Sequence, residues 1–265
     1  MKLKSSVLIG SMVLALCCSR AWAQDGSDEL LKHEIKTTWG IDVVDTDLSE
    51  KIVPLVTTPD VNITMEDVEP EDETACLQTV VHALNEYPAA FVSSLVSKIA
   101  LAEDIRAWGI RGGGIYGPSL FGVNCVDAED NRQFDIISVH NQIAALVLAK
   151  YSPDLASWDH LNPPSFHYGN MADVQNELRN PDSRQGTAIL LANGFVAPLG
   201  TTNIKNDFDT FAGEVFGDTN SFVPSLKQYP PLRGKTRLLM SIYLQKAPTL
   251  KTFFDQSGLT DAAAN

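Results

Sequence analysis

A histidine at the start of an apolar helix is the residue that offers chemistry most directly. The segment reads Ile136-Ile137-Ser138-Val139-His140-Asn141-Gln142-Ile143-Ala144-Ala145. An imidazole on a helix, with further donors one turn later, can hold zinc, and a neighbouring carboxylate can act as the base. Two more histidines follow in a loop rich in proline and aromatic residues, His160 and His167. The carboxylates that could partner these histidines are Asp159, Asp207, Asp209 and Glu214.

Three further motifs follow this helix. They read Trp158-Asp159-His160-Leu161-Asn162-Pro163-Pro164-Ser165-Phe166-His167-Tyr168-Gly169, then Asn193-Gly194-Phe195-Val196, then Asp207-Phe208-Asp209-Thr210-Phe211-Ala212. With the helix, they resemble a family of secreted bacterial zinc metallopeptidases related to zincins. In that family a helix bears His-His-Glu-x-x-His. A Trp…Leu-Asn-Pro…Phe-x-Tyr loop follows, then Gly-Phe-Val and a helix that opens Asp-Phe-x-Glu. The resemblance extends over about residues 74–246.

The resemblance implies a fold and a binding cleft. The fold is α+β, a zincin-like metallopeptidase domain with a small antiparallel sheet and a central helix from His140 to Tyr151. A second helix, from Asp207 to Asp218, should pack across from the central one. The aromatic rim of the cleft, where a ligand would bind, should be formed by Trp158, Phe166 and Tyr168.

The chain departs from the family at the positions that carry the chemistry. His140 falls on the first histidine of the pair, Asn141 on a zinc-binding histidine and Gln142 on the catalytic glutamate. Ala145 falls on the second zinc-binding histidine, and Thr210 on the acid of the facing helix. Neutral amides hold zinc poorly and do not accept a proton at neutral pH. We therefore expect degenerate positions with no catalytic residue, no metal and no cofactor.

A rebuilt site is the alternative, in which His140, His160 or His167 and a nearby carboxylate bind zinc in an unorthodox arrangement. Against it, loop histidines are usually packed or solvated side chains. A serine triad is not indicated, since the sequence contains no Gly-x-Ser-x-Gly motif.

Three classes of function remain open. The first, which we favour, is a pseudoenzyme that binds a peptide, a protein or an envelope component in the old cleft. The second is an active secreted or periplasmic hydrolase, a metallopeptidase with an unorthodox site. The third is a structural protein that keeps the fold and uses another surface. The first is favoured because the aromatic motif is kept while the metal and base positions are lost.

The elements that must position these residues follow from apolar periodicity. Before the main body, the pattern predicts a short helix from Leu30 to Thr38, a strand from Ile41 to Val44 and a solvated acidic turn from Asp67 to Glu73. Helical spacing then predicts a first main helix, marked by Leu77, Val80, Val81 and Leu84, and a second, marked by Phe91, Leu95 and Ile99.

Strands are expected next, followed by helices. The β-prone runs are Asp104 to Trp108, Gly113 to Tyr116, Leu120 to Val126 and Gln133 to Ser138, the last leading into the helix Val139 to Tyr151. Two apolar helical stripes close the chain: Phe208, Phe211, Val215 and Phe216, then Leu232, Leu239, Ile242 and Tyr243.

Two short motifs have simpler explanations. Gly112 to Gly117 matches the dinucleotide fingerprint, but Pro118 and a β-prone run follow it instead of a helix, so a glycine-rich hairpin is expected. His33-Glu34 opens like a zinc-peptidase helix, but Thr37 stands where a second histidine is needed.

The N-terminus has the order of a secretory signal. Lys2 and Lys4 precede an apolar stretch, and Ala21-Trp22-Ala23 predicts cleavage before Gln24. The stretch is shorter than a membrane span, so no membrane span is expected. Lipid attachment at Cys17 or Cys18 is the alternative. We divide the chain into a signal peptide (1–23), an acidic N-terminal segment (24–73) and the peptidase-related domain (74–265), exported to the periplasm or the extracellular space.

Charge and cysteine content restrict the remaining possibilities. Without the three basic residues of the signal, 20 − 3 = 17 basic residues face 33 acidic ones, a net charge near −16. This acidic protein should not bind nucleic acid, because the two would repel each other. Cys76 and Cys125 are the two cysteines outside the signal, and in an oxidising compartment such a pair is expected to form a disulfide.

Overall fold

The computed structural model describes residues 26–44, 62–180 and 186–264. The predicted signal peptide and its cleavage site lie outside the described residues. The fold is α+β, as predicted, with two small sheets and a larger number of helices. No helix in the described ranges has the length and apolar character that crossing a membrane requires.

The N-terminal segment shares the core of the rest of the chain. Helix α1 (residues 26–39) and strand β1 (Asp42–Val44) lie where the sequence predicts them. Ile35, Trp39 and Ile41 are buried in the main hydrophobic cluster. A second strand, β2 (Ile63–Glu66), follows beyond the gap. The acidic segment is therefore joined to the domain by both packing and strand pairing.

Two helices precede the sheet, and both differ from the prediction at one end. Helix α2 (Pro70–Leu84) includes Glu71, Asp72 and Glu73 in its first turn, so these residues do not form a turn before the helix. Proline at the first helical position and acids beside the helix N-terminus are favourable there. Helix α3 (Ala89–Leu95) ends before Ile99, because that residue belongs to a strand.

The strands form two sheets instead of one antiparallel sheet. They are β3 (Lys98–Ala102), β4 (Asp104–Ala107), β5 (Ile110–Arg111), β6 (Gly114–Gly117) and β7 (Leu120–Asn124). One sheet has the order β1-β3-β7-β6 and the other β2-β4-β5. In the first, β1 and β7 both pair parallel with β3, and only β6 with β7 is antiparallel. The prediction of a purely antiparallel sheet is wrong for this sheet, although the expected glycine hairpin β6–β7 is confirmed.

The central helix α4 (Arg132–Tyr151) is longer than expected. The predicted strand from Gln133 to Ser138 is its first part, and Ile136, Val139 and Ile143 form one buried stripe at helical spacing. Packing against a neighbouring helix overrides the β preference of the isoleucines, which is a weak and context-dependent tendency. Ser138 also donates a hydrogen bond to the carbonyl of Gly113 at 2.6 Å, which fixes the helix to the hairpin.

The remaining helices follow α4 along the chain. They are α5 (Ala156–Asp159), α6 (Met171–Arg179), α7 (Ala188–Ala192), α8 (Ile204–Gly217), α9 (Thr219–Gln228), α10 (Pro231–Lys246), α11 (Leu250–Gln256) and α12 (Leu259–Ala264), with a 3-10 turn at Pro198–Thr201 before α8. Helices α4 and α8 contact each other extensively, which confirms the predicted pairing of these two segments. A side chain at Gly213 would collide with Asn141, so this close approach requires glycine.

The disulfide prediction is confirmed. Cys76 on α2 and Cys125, just after β7, are bonded, with their Cα atoms 5.5 Å apart. Both residues are fully buried. The bond therefore joins the first main helix to the central part of the larger sheet.

Candidate functional site

A cleft of about 1600 Å³ lies between α4, α8 and the hairpin strand β6. All four residues of β6 line it, from Gly114 to Gly117. Helix α6 contributes Met171, Val174 and Leu178 to another wall. Among the described strands, β6 is at the edge of its sheet and pairs with β7 alone, so the cleft runs along an edge that no described strand occupies.

Four of the five degenerate positions line this one cleft. They are Asn141, Gln142 and Ala145 on α4 and Thr210 on α8. The side chain of Gln142 lies against the edge strand β6. A Cβ atom added to Gly114 would be 2.9 Å from the Nε2 atom of Gln142. The sequence positions that the resemblance singled out are thus brought together by the packing of α4 against α8.

These residues do not fit a zinc ion. Asn141, with its amide oriented to satisfy its hydrogen bonds, donates to the backbone carbonyls of Asp209 at 2.8 Å and Ile137 at 3.2 Å. The hydroxyl of Thr210 donates to the carbonyl of Asn206 at 2.7 Å. Ala145 has no donor atom. Within the described ranges, no three His, Cys, Asp or Glu side chains are grouped so that they could hold a metal.

His140, the fifth position, faces away from the cleft. It is fully buried, and its Nδ1 atom lies 2.8 Å from the hydroxyl of Tyr87. Its ring stacks on Phe216, with centroids 5.8 Å apart. Burial, with a smaller contribution from the charge of His82, lowers the pKa of His140 to about 3. The imidazole is therefore neutral near pH 7 and belongs to the aromatic core.

Burial of a neutral His140 is expected to lower the stability of the protein in acid. Its pKa is about 3 in the folded state and about 6.5 when unfolded. Below pH 6.5, His140 becomes protonated in the unfolded chain but stays neutral in the folded one. The free energy of unfolding therefore falls by up to about 1.4 kcal/mol per pH unit. Between pH 7 and 4.5, the free energy of unfolding of His140→Gln should fall by about 2 kcal/mol less than that of the unmodified protein. Urea unfolding at the two pH values measures this difference.

Comparing His140→Gln with the unmodified protein cancels the contributions of the other titrating groups to the pH dependence of stability. Asp209 and Glu214, whose pKa values are raised by burial, act in the opposite direction and stabilise the fold as the pH falls. The control is His167→Gln, which removes an exposed loop histidine. A His140→Gln variant with the same pH dependence as the unmodified protein would contradict a buried neutral imidazole.

The predicted aromatic rim lies elsewhere. Trp158 is fully buried, and its Nε1 atom donates to Asp207 at 2.9 Å. The hydroxyl of Tyr168 donates to the same carboxylate at 2.7 Å, and Phe166 packs edge-on against Tyr168. The cleft lining contains none of these three aromatic residues. Trp158 and Tyr168 instead bind Asp207, and Phe166 packs against Tyr168.

Lys235, which the sequence reasoning missed, completes this cluster. The lysine side chain is fully buried, and its Nζ atom lies 2.6 Å from Asp207. The ammonium also lies 4.1 Å from the ring centre of Phe195. A signal was present in the sequence, because Lys235 stands three residues after Leu232 and four before Leu239 on an apolar helical stripe. A cation at such a position requires a buried partner.

The remaining candidate residues are divided between surface and cleft. His160, His167 and Asp159 are exposed, and none of them lines the cleft. Asp209 and Glu214 do line it, on α8. Burial raises the pKa of Asp209 well above its usual value, and burial together with the charge of Asp218 raises the pKa of Glu214 to about 7.

Tyr116 is a second residue that the sequence reasoning missed. It lies on β6, lines the cleft beside these acids and is 37% exposed, so its ring is available to a ligand. Burial of its hydroxyl end and the charge of Asp209 raise the pKa of Tyr116, which stays a protonated donor at neutral pH. The glycine-rich hairpin motif gave no indication of this role.

Comparison of the chain with protein-family models, with characterised proteins and with solved structures finds no significant match. The family resemblance of the sequence motifs therefore stays a prediction.

Proposed function

We propose that this protein is an exported, peptidase-like binding protein whose cleft holds an extended peptide or protein segment without cleaving it. The observation that carries the proposal is the cleft that follows the free edge of β6. An edge strand presents unpaired backbone N–H and C=O groups, to which an extended chain can add as a further strand.

The size and lining of the cleft support a peptide ligand. At about 1600 Å³ the cleft is larger than the 300–1000 Å³ that is typical of small-molecule pockets. Its lining combines apolar side chains such as Ile115, Ile137 and Leu199 with polar groups such as Gln142 and Asn206. Such a mixture suits the alternating side chains of an extended segment.

The loss of catalysis is supported by the chemistry of the degenerate positions. Asn141 and Thr210 are engaged with backbone carbonyls, and Ala145 offers no ligand atom. Gln142, at the position of the base, cannot take up a proton from water near neutral pH. Export is supported by the disulfide between Cys76 and Cys125, because such bonds persist in oxidising compartments.

The test is binding of a fluorescein-labelled library of short peptides to the purified mature protein, followed by anisotropy. We expect saturable binding that is lost in Gln142→Trp, where a large ring fills the cleft beside β6. The matched control is Gln245→Trp, the same exchange at an exposed position of α10 that does not line the cleft.

Mass spectrometry of the same mixtures tests the second half of the proposal. We expect the peptides to be recovered at full length. Shortened peptides that disappear in Gln142→Trp would show an active hydrolase instead. Equal binding by Gln142→Trp and the unmodified protein would show that the ligand lies outside this cleft.

A further inference from the structure

We propose that Asp209 and Glu214 form an anionic subsite in this cleft, which selects peptide segments that carry a lysine or arginine side chain. The inference rests on the proposed peptide-binding function and specifies its ligand. Both acids project from α8 into the cleft. Oδ1 of Asp209 is buried and has no hydrogen-bond partner within the described part of the chain.

No basic side chain of the described residues neutralises these acids by direct contact. Among the described residues that line the cleft, Lys150 near the C-terminal end of α4 is the one basic residue. Its ammonium donates to the carbonyl of Ser94 and lies over the ring of Tyr151, so it is engaged elsewhere. Lys205 lowers the pKa of Asp209 only as a secondary influence. Among the residues that the structure describes, the two carboxyls therefore have no directly bonded counter-ion.

The other titratable groups around the two acids add no positive charge. Tyr116 on β6 and Tyr243 on α10 feel the charge of Asp209 and present neutral hydroxyls. Asp218 follows Glu214 at the end of α8, and Asp130 lines the cleft from the loop before α4. His140, the histidine of α4, is neutral and faces the opposite side. Apart from Lys205 and Lys150, these neighbouring groups are acidic or uncharged.

Buried carboxyls without a partner are costly and uncommon in folded proteins. Burial raises the pKa of both acids, and with a pKa of about 7 part of the Glu214 population is protonated at neutral pH. A cation that enters the cleft would restore the ionised form and complete the missing hydrogen bonds. The acidic excess of the whole chain, with a net charge of −13, would also attract such a ligand.

An organic cation fits better than a metal ion. In the described ranges, two acids without a third His, Cys, Asp or Glu donor do not make a metal site. The exposed ring of Tyr116 offers a face for an ammonium or guanidinium group. The apolar lining by Ile137 and Leu199 suits the methylene stem of lysine or arginine.

The experiment uses N-acetylated, C-amidated peptide mixtures in which one position is fixed as lysine, arginine, norleucine or glutamate. We expect the lysine or arginine mixtures to bind the mature protein about tenfold or more tightly than the norleucine mixture. That preference should disappear in Asp209→Asn with Glu214→Gln, while norleucine binding is kept. Glu129→Gln, which removes an exposed carboxyl outside the cleft, is the matched control.

Calorimetry in two buffers of different ionisation enthalpy provides a second measurement. Binding of the lysine mixture at pH 6.5 should release protons, because the ligand ionises Glu214, whose pKa is about 7. Release should be smaller in Glu214→Gln, in which Asp209 is the only remaining acid of the subsite, and affinity should rise with pH. Equal binding of all four mixtures would overturn the subsite but leave peptide binding intact. No binding of any mixture would overturn both proposals.

Discussion

Replacing Lys235 by methionine should lower the free energy of unfolding by about 3–5 kcal/mol, the effect expected when one partner of a buried ion pair is removed. Methionine has nearly the same length and shape, so the change tests charge and not volume. The ammonium of Lys235 lies 2.6 Å from Asp207, and neither side chain has any exposed surface. Without it, the carboxylate of Asp207 would be left buried beside two neutral donors.

Those two donors show why the pair is sensitive. Trp158 and Tyr168 both donate to the Oδ2 atom that also binds Lys235. Burial and the charge of Asp207 raise the pKa of Tyr168, so its hydroxyl stays a donor at all ordinary pH values. The loop from α5 to α6 is therefore held to α8 and α10 by one carboxylate, and its position depends on that charge being compensated.

A double variant separates charge from packing. Lys235→Met combined with Asp207→Asn keeps an acceptor for Trp158 and Tyr168 but removes the unpaired charge. It should recover about 1–3 kcal/mol of the loss caused by Lys235→Met alone. Urea unfolding, followed by circular dichroism and tryptophan fluorescence, gives the three free energies.

The matched control is Lys251→Met at the surface. Its ammonium also pairs with an acid, Asp255 at 2.5 Å, but the two side chains are 68% and 43% exposed. Such a solvent-exposed pair contributes little to stability, because water screens the two charges. A Lys235→Met variant as stable as Lys251→Met would contradict the buried ion pair described above.

Removal of the disulfide is the second change with a large expected effect. The double variant Cys76→Ala, Cys125→Ala should be less stable by on the order of 4 kcal/mol. The bond closes a loop in which the cysteines are 49 residues apart, and the chain-entropy account gives this value for such a loop. Alanine is chosen because both positions are fully buried and a polar replacement would add a separate penalty.

Reducing agent distinguishes the bond from the packing of its sulfur atoms. Equilibrium urea unfolding of the unmodified protein with reductant should shift to nearly the midpoint of the double variant. The double variant itself should be unaffected by reductant. An unmodified protein whose unfolding curve is identical with and without reductant would show that the bond does not form.

The sequence by itself determined the fold class, the approximate positions of the longest helices and the disulfide. Apolar stripes such as Phe208, Phe211 and Val215 repeat at the period of a helix, and that signal is local. The disulfide needed only the observation that Cys76 and Cys125 are the two cysteines outside the predicted signal. The glycine hairpin also followed from local sequence, because Pro118 and a β-prone run exclude a helix there.

The sheet order was decided only by the tertiary structure. Strand β3 pairs parallel with β7, although three other strands lie between them in the sequence. No local sequence pattern therefore identifies the two strands as partners. The residues from Gln133 to Ser138 have β-prone side chains but join α4, because their buried face packs against α8. Long-range packing outweighs local preference at both places.

The site divides in the same way. The sequence motifs pointed to Asn141, Gln142, Ala145 and Thr210, which do line one cleft. The sequence also indicated Asp209 and Glu214 as possible carboxylate partners, and both line the same cleft. The sequence did not indicate that His140 faces the core, or that Trp158 and Tyr168 donate hydrogen bonds to Asp207. Nor did it reveal the partner of Lys235. Side-chain direction depends on which neighbouring elements bury each face of a helix, and that is set by contacts between residues far apart in the chain.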